Sequence, residues 1–189
     1  LDGFMNRKDY NSVCEKMRLE NNLLWPIPIT LDINDELVDT LEINEEIALR
    51  DKEGFVIAIL TIDDIWTPDK EKEAQQIYQT TDIFHPGVNT LLNETHSTYV
   101  GGTLKGIHYP KHYDYPQLRH TAQELRESFD NWGWKDIIAF QTRNPMHRAH
   151  IELTKRALNE KNAKLLIHPV VGLTKPGDVN HYTRVRCYK

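Results

Sequence analysis

One run of the chain concentrates groups that hold and polarise anions: Gln141-Thr-Arg-Asn-Pro-Met-His-Arg-Ala-His150. Arginine offers a planar fork of donors that matches a tetrahedral oxyanion, amide and hydroxyl side chains add uncharged donors, and imidazoles donate when hydrogen-bonded or protonated. His147 and His150 are three apart, so in the first turn of a helix both rings can face one spot beside Arg143. Such a set suits binding a phosphate or sulfate and stabilising charge that builds on its oxygens. A blander reading makes the histidines core residues satisfied by carbonyls. A zinc reading has little behind it, because H-E-x-x-H is absent and no Asp, Glu or Cys nearby supplies a third ligand.

The elements that must position these groups are legible on both sides. Asp136-Ile-Ile-Ala-Phe140 is a short apolar run of the buried parallel-strand kind, and Lys164 to Val171 is a second. Between them Pro145 suits a first helical turn with Asn144 as its N-cap, leaving unpaired amides that face an anion. At helical spacing Arg148, Glu152, Lys155, Arg156 and Asn159 share one side. Ala149, Ile151, Leu153, Ala157 and Leu158 spread over the other, which also takes in His147 and His150. Asp136 to Val171 spans 36 residues, enough for a strand-helix-strand crossover, and ligands of such sheets gather at the carboxyl ends of the strands. Upstream, Thr121-Ala-Gln-Glu124 is a capping box opening a helix that runs to about Asn131 and stops at Trp132-Gly-Trp134. Thr174-Lys-Pro-Gly177 is a loop whose Lys175 reads as solvated, since no P-loop pattern surrounds it, and Arg184 and Arg186 either face the site or cover a helix.

The first half has a different texture. Leu24 to Ile33, with Pro26 and Pro28, reads as an edge strand. Ile47 to Leu49 and Phe55 to Ile62 flank an Asp51-Lys-Glu-Gly54 turn as a hairpin, and Asp69 to Gln79 is a short helix. Tyr99 to His108 is a strand whose glycines indicate a bulge or a close backbone approach. Tyr109 to Pro116 is the linker, which puts the boundary between residues 1–113 and 114–189. Charge changes across it: 10 basic and 20 acidic residues precede Asp114, whereas 13 and 8 follow from that point, with five of the nine histidines. The basic second part favours an anionic ligand, and the acidic first part speaks against a nucleic-acid groove. No apolar run approaches the ~20 residues that cross a bilayer, and Cys14 and Cys187 suggest neither a zinc knuckle nor a disulfide framework. A cytoplasmic protein without nucleic-acid or membrane partners is expected.

Over its whole length the sequence resembles the ATP sulfurylase (sulfate adenylyltransferase) family, in the branch of the fungal-type members and their bacterial relatives. The pattern Q-x-R-N-P-x-H-x-x-H stands complete as Gln141 to His150, in its Q-T-R-N form. Leu24-Trp-Pro-Ile-Pro-Ile-Thr30, Tyr99-Val-Gly-Gly102, His112-Tyr-Asp-Tyr-Pro116, Leu165 to Asp178 and Thr183-Arg-Val-Arg186 look like further family segments. The resemblance implies an N-terminal PUA-like β-barrel over 1–113. It also implies the first part of a Rossmann-like α/β nucleotidylyltransferase domain, of the H-x-G-H superfamily, over 114–189. The implied reaction converts ATP and sulfate to adenosine 5′-phosphosulfate and pyrophosphate, with Mg²⁺ on the nucleotide phosphates, no protein metal ligands, and a homo-oligomer in the full-length protein. Arg143 and Gln141 would hold sulfate, Thr142 and Asn144 would contact the α-phosphate region, and His147 and His150 would stabilise the transferring phosphoryl oxygens and pyrophosphate. All six would contact ATP. The family's G-R-D-H-type loop would follow Lys189, so this chain reads as a fragment carrying two strands of a sheet that needs about five. The alternatives are another adenylyltransferase of the superfamily, or a PUA-like module with no catalysis of its own.

Overall fold

The computed structural model describes residues 1–172 and 177–189, which fall into two units, Leu1–Lys111 and His112–Lys189. In chain order the first holds β1 (Gly3–Phe4), α1 (Arg7–Lys16), β2 (Leu31–Ile33), α2 (Asp35–Val38), β3 (Glu46–Arg50), β4 (Val56–Trp66), α3 (Lys70–Tyr78), α4 (Pro86–Asn89) and β5 (Thr98–Gly106). A π-helical turn over Thr90–Glu94 continues α4. Its strands form one antiparallel sheet in the order β1-β5-β4-β3, with β2 also paired to β5.

The expected hairpin is β3-β4, and its turn is built by Asp51, whose Oδ1 accepts from the amides of Glu53 and Phe55 at 2.9 Å each. The expected PUA-like β-barrel is not seen as a closed barrel among the described residues. β3 pairs only with β4 among them, and β1 and β2 share the far edge of β5, so the sheet stays open. Glu46 and Arg50, exposed at the two ends of β3, are charges of the kind that guard a free edge. The strand expected from Leu24 to Ile33 shrinks to Leu31–Ile33, and Leu24 makes one isolated bridge with Arg18. Pro26 and Pro28 have no amide to give a ladder.

The glycine reading of β5 holds. Opposite Gly101 and Gly102, β4 carries a bulge between Ile62 and Asp64, and a Cβ on Gly102 would sit 2.1 Å from the Thr61 carbonyl oxygen. That oxygen belongs to backbone already paired in the sheet, so it cannot yield cheaply. Gly102→Ala is expected to lower the unfolding free energy by roughly 1 to 3 kcal/mol, read from the urea midpoint of the chain.

One core cluster gathers Tyr10, Val13 and Cys14 of α1 with Trp66, Ala74, Val88, Leu91 and Tyr99, and a smaller one gathers Leu60, Ile62 and Val100. Inside the first lies Glu73, 7% exposed, whose Oε2 accepts from the Tyr10 hydroxyl at 2.8 Å and the Tyr99 hydroxyl at 3.2 Å. Burial raises its carboxyl above the ordinary 4.5, against the lowering effect of the two tyrosines. A carboxyl raised on folding favours the folded state fully below its unfolded value, and that contribution is lost as pH climbs through the folded value. Glu73→Gln should therefore gain stability relative to the parent as pH rises from below 4.5 to neutrality. Urea melts across that range that stay parallel would contradict this.

The second unit opens with a 3₁₀ turn (Pro116–Leu118), then α5 (Ala122–Asn131), β6 (Ile137–Thr142), α6 (Arg148–Lys161), β7 (Lys164–Pro169) and α7 (His181–Arg186). The capping box of α5 is closed on both sides: Thr121 Oγ1 accepts from the Glu124 amide at 3.2 Å and Glu124 Oε2 from the Thr121 amide at 2.7 Å. β6 and β7 are parallel in the register Ile137↔Lys164 to Thr142↔Pro169, joined through α6, which is the expected crossover. Both strands are short and centred on apolar residues, and the helical crossover between them returns the chain in the parallel sense. Their carboxyl ends thereby come side by side, and the Val170 amide extends the pairing by donating to the Thr142 carbonyl at 2.9 Å. No described helix is long and apolar enough to cross a membrane.

Candidate functional site

The motif occupies the turn from β6 into α6. Gln141 and Thr142 are the last residues of β6, with Gln141 exposed and in register with His168. Thr142 Oγ1 donates to the Asn144 carbonyl at 2.5 Å and accepts from the Asn144 amide at 3.2 Å, which folds the backbone back just beyond the strand. The helix begins later than expected. Its N-cap is His147, with no side-chain cap bond, and Pro145 precedes the first turn. Asn144 is not the cap because its side chain is engaged elsewhere, Oδ1 accepting from the Val179 amide at 2.8 Å and Nδ2 reaching Asp178 Oδ1 at 3.4 Å.

The two histidines do come together. Their rings stack with centroids 4.0 Å apart and planes 30° apart, and His150 also lies 5.4 Å from the Phe140 ring. His147 is exposed and His150 half-buried, with Nδ1 of His150 buried and lacking a partner among the described residues. The inward arc of α6 is narrower than its apolar residues suggested: Thr154 is the buried position, whereas Ile151 and Leu153 are exposed at 40% and 60%. Thr154 stays satisfied there by donating to the carbonyls of His150 and Ile151 at 3.0 and 2.9 Å.

Arg143 is brought to a residue that sequence reasoning had not given a role. Its Nε and Nη2 donate to Asp178 Oδ2 at 3.0 and 2.6 Å. Asp178 sits in a segment that resembles the family, but nothing local ties it to a position 35 residues away. Arg184, on α7, does not cover an exposed helix surface. It is fully buried, donating to the carbonyls of Val170 and, at 2.6 Å, Val179. Arg186 is exposed, and Lys175 lies outside the described residues. A second ionic group was also missed: Asp114 receives Arg119 at 2.6 Å and His181 at 3.2 Å, and the Arg119 hydrogen bond holds its carboxyl below the usual range. Among the described residues no group of three or more His, Cys, Asp or Glu gathers as a metal site. The arrangement is thus a strand-end turn bearing one guanidinium, amide and hydroxyl donors and a stacked imidazole pair, which suits polyanionic chemistry.

Two family models match the chain, a PUA-like domain over residues 1–109 and ATP-sulfurylase over residues 116–189. Curated relatives align over all of it: the sulfate adenylyltransferases of Kluyveromyces lactis, at 52% identity, and of Saccharomyces cerevisiae, at 50%. The chain spans 38% and 37% of their lengths. Among solved structures, the hexameric APS kinase from Thiobacillus denitrificans is similar with a TM-score of 0.76 and 33% identity, over 100% of this chain and 33% of that one.

Proposed function

Because the chain belongs to the ATP sulfurylase family, we propose that it forms part of a sulfate adenylyltransferase. The enzyme joins sulfate to the α-phosphate of ATP and releases pyrophosphate. The observation that carries this reading is the complete Gln141 to His150 motif at the carboxyl end of β6, in a chain that aligns end to end with enzymes of that name. Residues 1–113 act as the PUA-like domain, and residues 114–189 as the first part of a Rossmann-like nucleotidylyltransferase domain.

The chemistry follows from the donors. A sulfate oxygen forms a bond to the α-phosphorus while the bond from that phosphorus to the bridging oxygen breaks and pyrophosphate leaves with the electron pair. Sulfate is already a dianion, so no residue need take a proton. The obstacle is bringing two anions together and bearing the charge that grows between them. Arg143 and Gln141 bind sulfate. Thr142 and Asn144 line the α-phosphate region, and His147 and His150 donate to the phosphoryl oxygens and the departing pyrophosphate. ATP contacts all six. The nucleotide would arrive as its Mg²⁺ complex, with the metal on its phosphates.

We assign the complete protein a cytoplasmic location, in keeping with its unpaired Cys14 and Cys187, and a homo-oligomeric state, which the hexameric structural neighbour supports. The test of function is pyrophosphate release from MgATP by the complete gene product, with and without sulfate. Release that requires sulfate supports the proposal, and release indifferent to sulfate sinks it.

A further inference from the structure

The hydrogen bonds around Asp178 tie the motif to a second segment of the chain. The carboxylate takes two donors from Arg143 on one oxygen and faces the Asn144 amide group with the other. The next residue, Val179, donates its amide to Asn144 Oδ1 and gives its carbonyl to the buried Arg184. The second hand of Arg184 holds the Val170 carbonyl, directly after β7. Arg184 itself is carried by α7, whose N-cap Asn180 accepts from the Tyr182 amide, and Tyr188 just beyond α7 donates to the Asn144 carbonyl at 3.1 Å. Arg143 and Asn144 are therefore held from behind by the segment running from Asp178 to Tyr188.

A carboxylate beside an anion-binding arginine can do one of two things. It can compete with the anion for the guanidinium, or it can sit behind the guanidinium and aim it. Exposure decides between them: the Asp178 side chain is 12% exposed and that of Arg143 is 38%. The guanidinium is the more exposed of the two groups, so an arriving dianion meets the cation first, and the main chain next to the carboxylate, at Val179, is fixed through Arg184 and Asn144. From this geometry we infer that Asp178 is a positioning residue, anchored by Arg184, that orients Arg143 and Asn144 for sulfate capture. The inference rests on the sulfate role of Arg143 proposed above.

The test is steady-state kinetics of the complete gene product with sulfate varied at saturating MgATP. Asp178→Ala should raise the KM for sulfate on the order of tenfold or more, the scale of a misplaced binding group, with much less change in kcat. Asp178→Asn keeps an oxygen to accept from Arg143 and should fall between the parent and the alanine variant, which a mere loss of folding would not produce. If Asp178→Ala fails to fold, the asparagine variant carries the test by the same rise in KM. A KM for sulfate that is unchanged or lower in the folded variants overturns the inference. Arg143→Lys separates the two claims, because it keeps the charge and loses the fork. If it raises the KM while the Asp178 variants do not, positioning alone is wrong. If it leaves the KM untouched, the sulfate role of Arg143 is wrong as well.

Discussion

Arg143→Ala in the complete gene product should reduce sulfate-dependent pyrophosphate release by at least ~10² to 10³, the usual effect of deleting one preorganised donor to a reacting anion. Two features push the loss to the upper end. The side chain removed is a charged fork, not a single donor, so both Coulombic attraction and geometry are lost. The deletion also removes the guanidinium that faces Asp178, a largely buried carboxylate beside the proposed sulfate position. With that positive charge gone, the carboxylate faces the arriving dianion as a like charge and repels it. The assay pairs pyrophosphate release with a thermal melt, because the claim requires lost activity in a protein that still unfolds cooperatively. Near-parental turnover would remove Arg143 from the sulfate role.

His150→Ala should cost a comparable ~10² to 10³ in kcat, with a smaller effect on the KM for sulfate. His150 packs against both His147 and Phe140, contacts that restrict the plane of its ring and so the direction of its donor. Truncation also opens space beside Phe140, so His150→Gln, which restores a donor of similar reach, is the informative companion. Partial recovery of kcat with glutamine marks the donor as the active feature. Equal loss in both variants, with a lowered melting temperature, would mark His150 as packing and return the histidines to the core reading.

What was legible in the sequence was what depends on neighbours in the chain. The capping box at Thr121 and the Asp51 turn rest on residues a few positions apart, and the β6-α6-β7 crossover on two apolar runs with a helical pattern between them, so local hydrogen bonds and hydrophobic period decide these structures. The motif turn was legible for the same reason, although the start of α6 was misplaced. Asn144 has the chemistry of an N-cap, but the Val179 amide, 35 residues on, claims its side-chain oxygen first. The same long reach hid Asp178 and Arg184, whose partners are set by how the loops after β6 and β7 meet. On α6, apolar residue types suggested an inward face that includes Leu153, whereas the packed position is Thr154, which can be buried because its hydroxyl is paired within its own helix. In the first unit, two prolines cut an expected strand to three residues. Glu73 gave no local sign that it would be buried, since its hydroxyl partners come from Tyr10 and Tyr99, far along the chain.

The central claim is that the turn after β6 brings an adenylyl group and sulfate together, and the reverse reaction tests it with the fewest assumptions. Supplied with adenosine 5′-phosphosulfate and magnesium pyrophosphate, the complete gene product should form ATP and free sulfate in equal amounts, and Arg143→Ala and His150→Ala should each suppress that synthesis. Absence of ATP from the folded protein, or synthesis by the two variants at the parental level, would contradict the account.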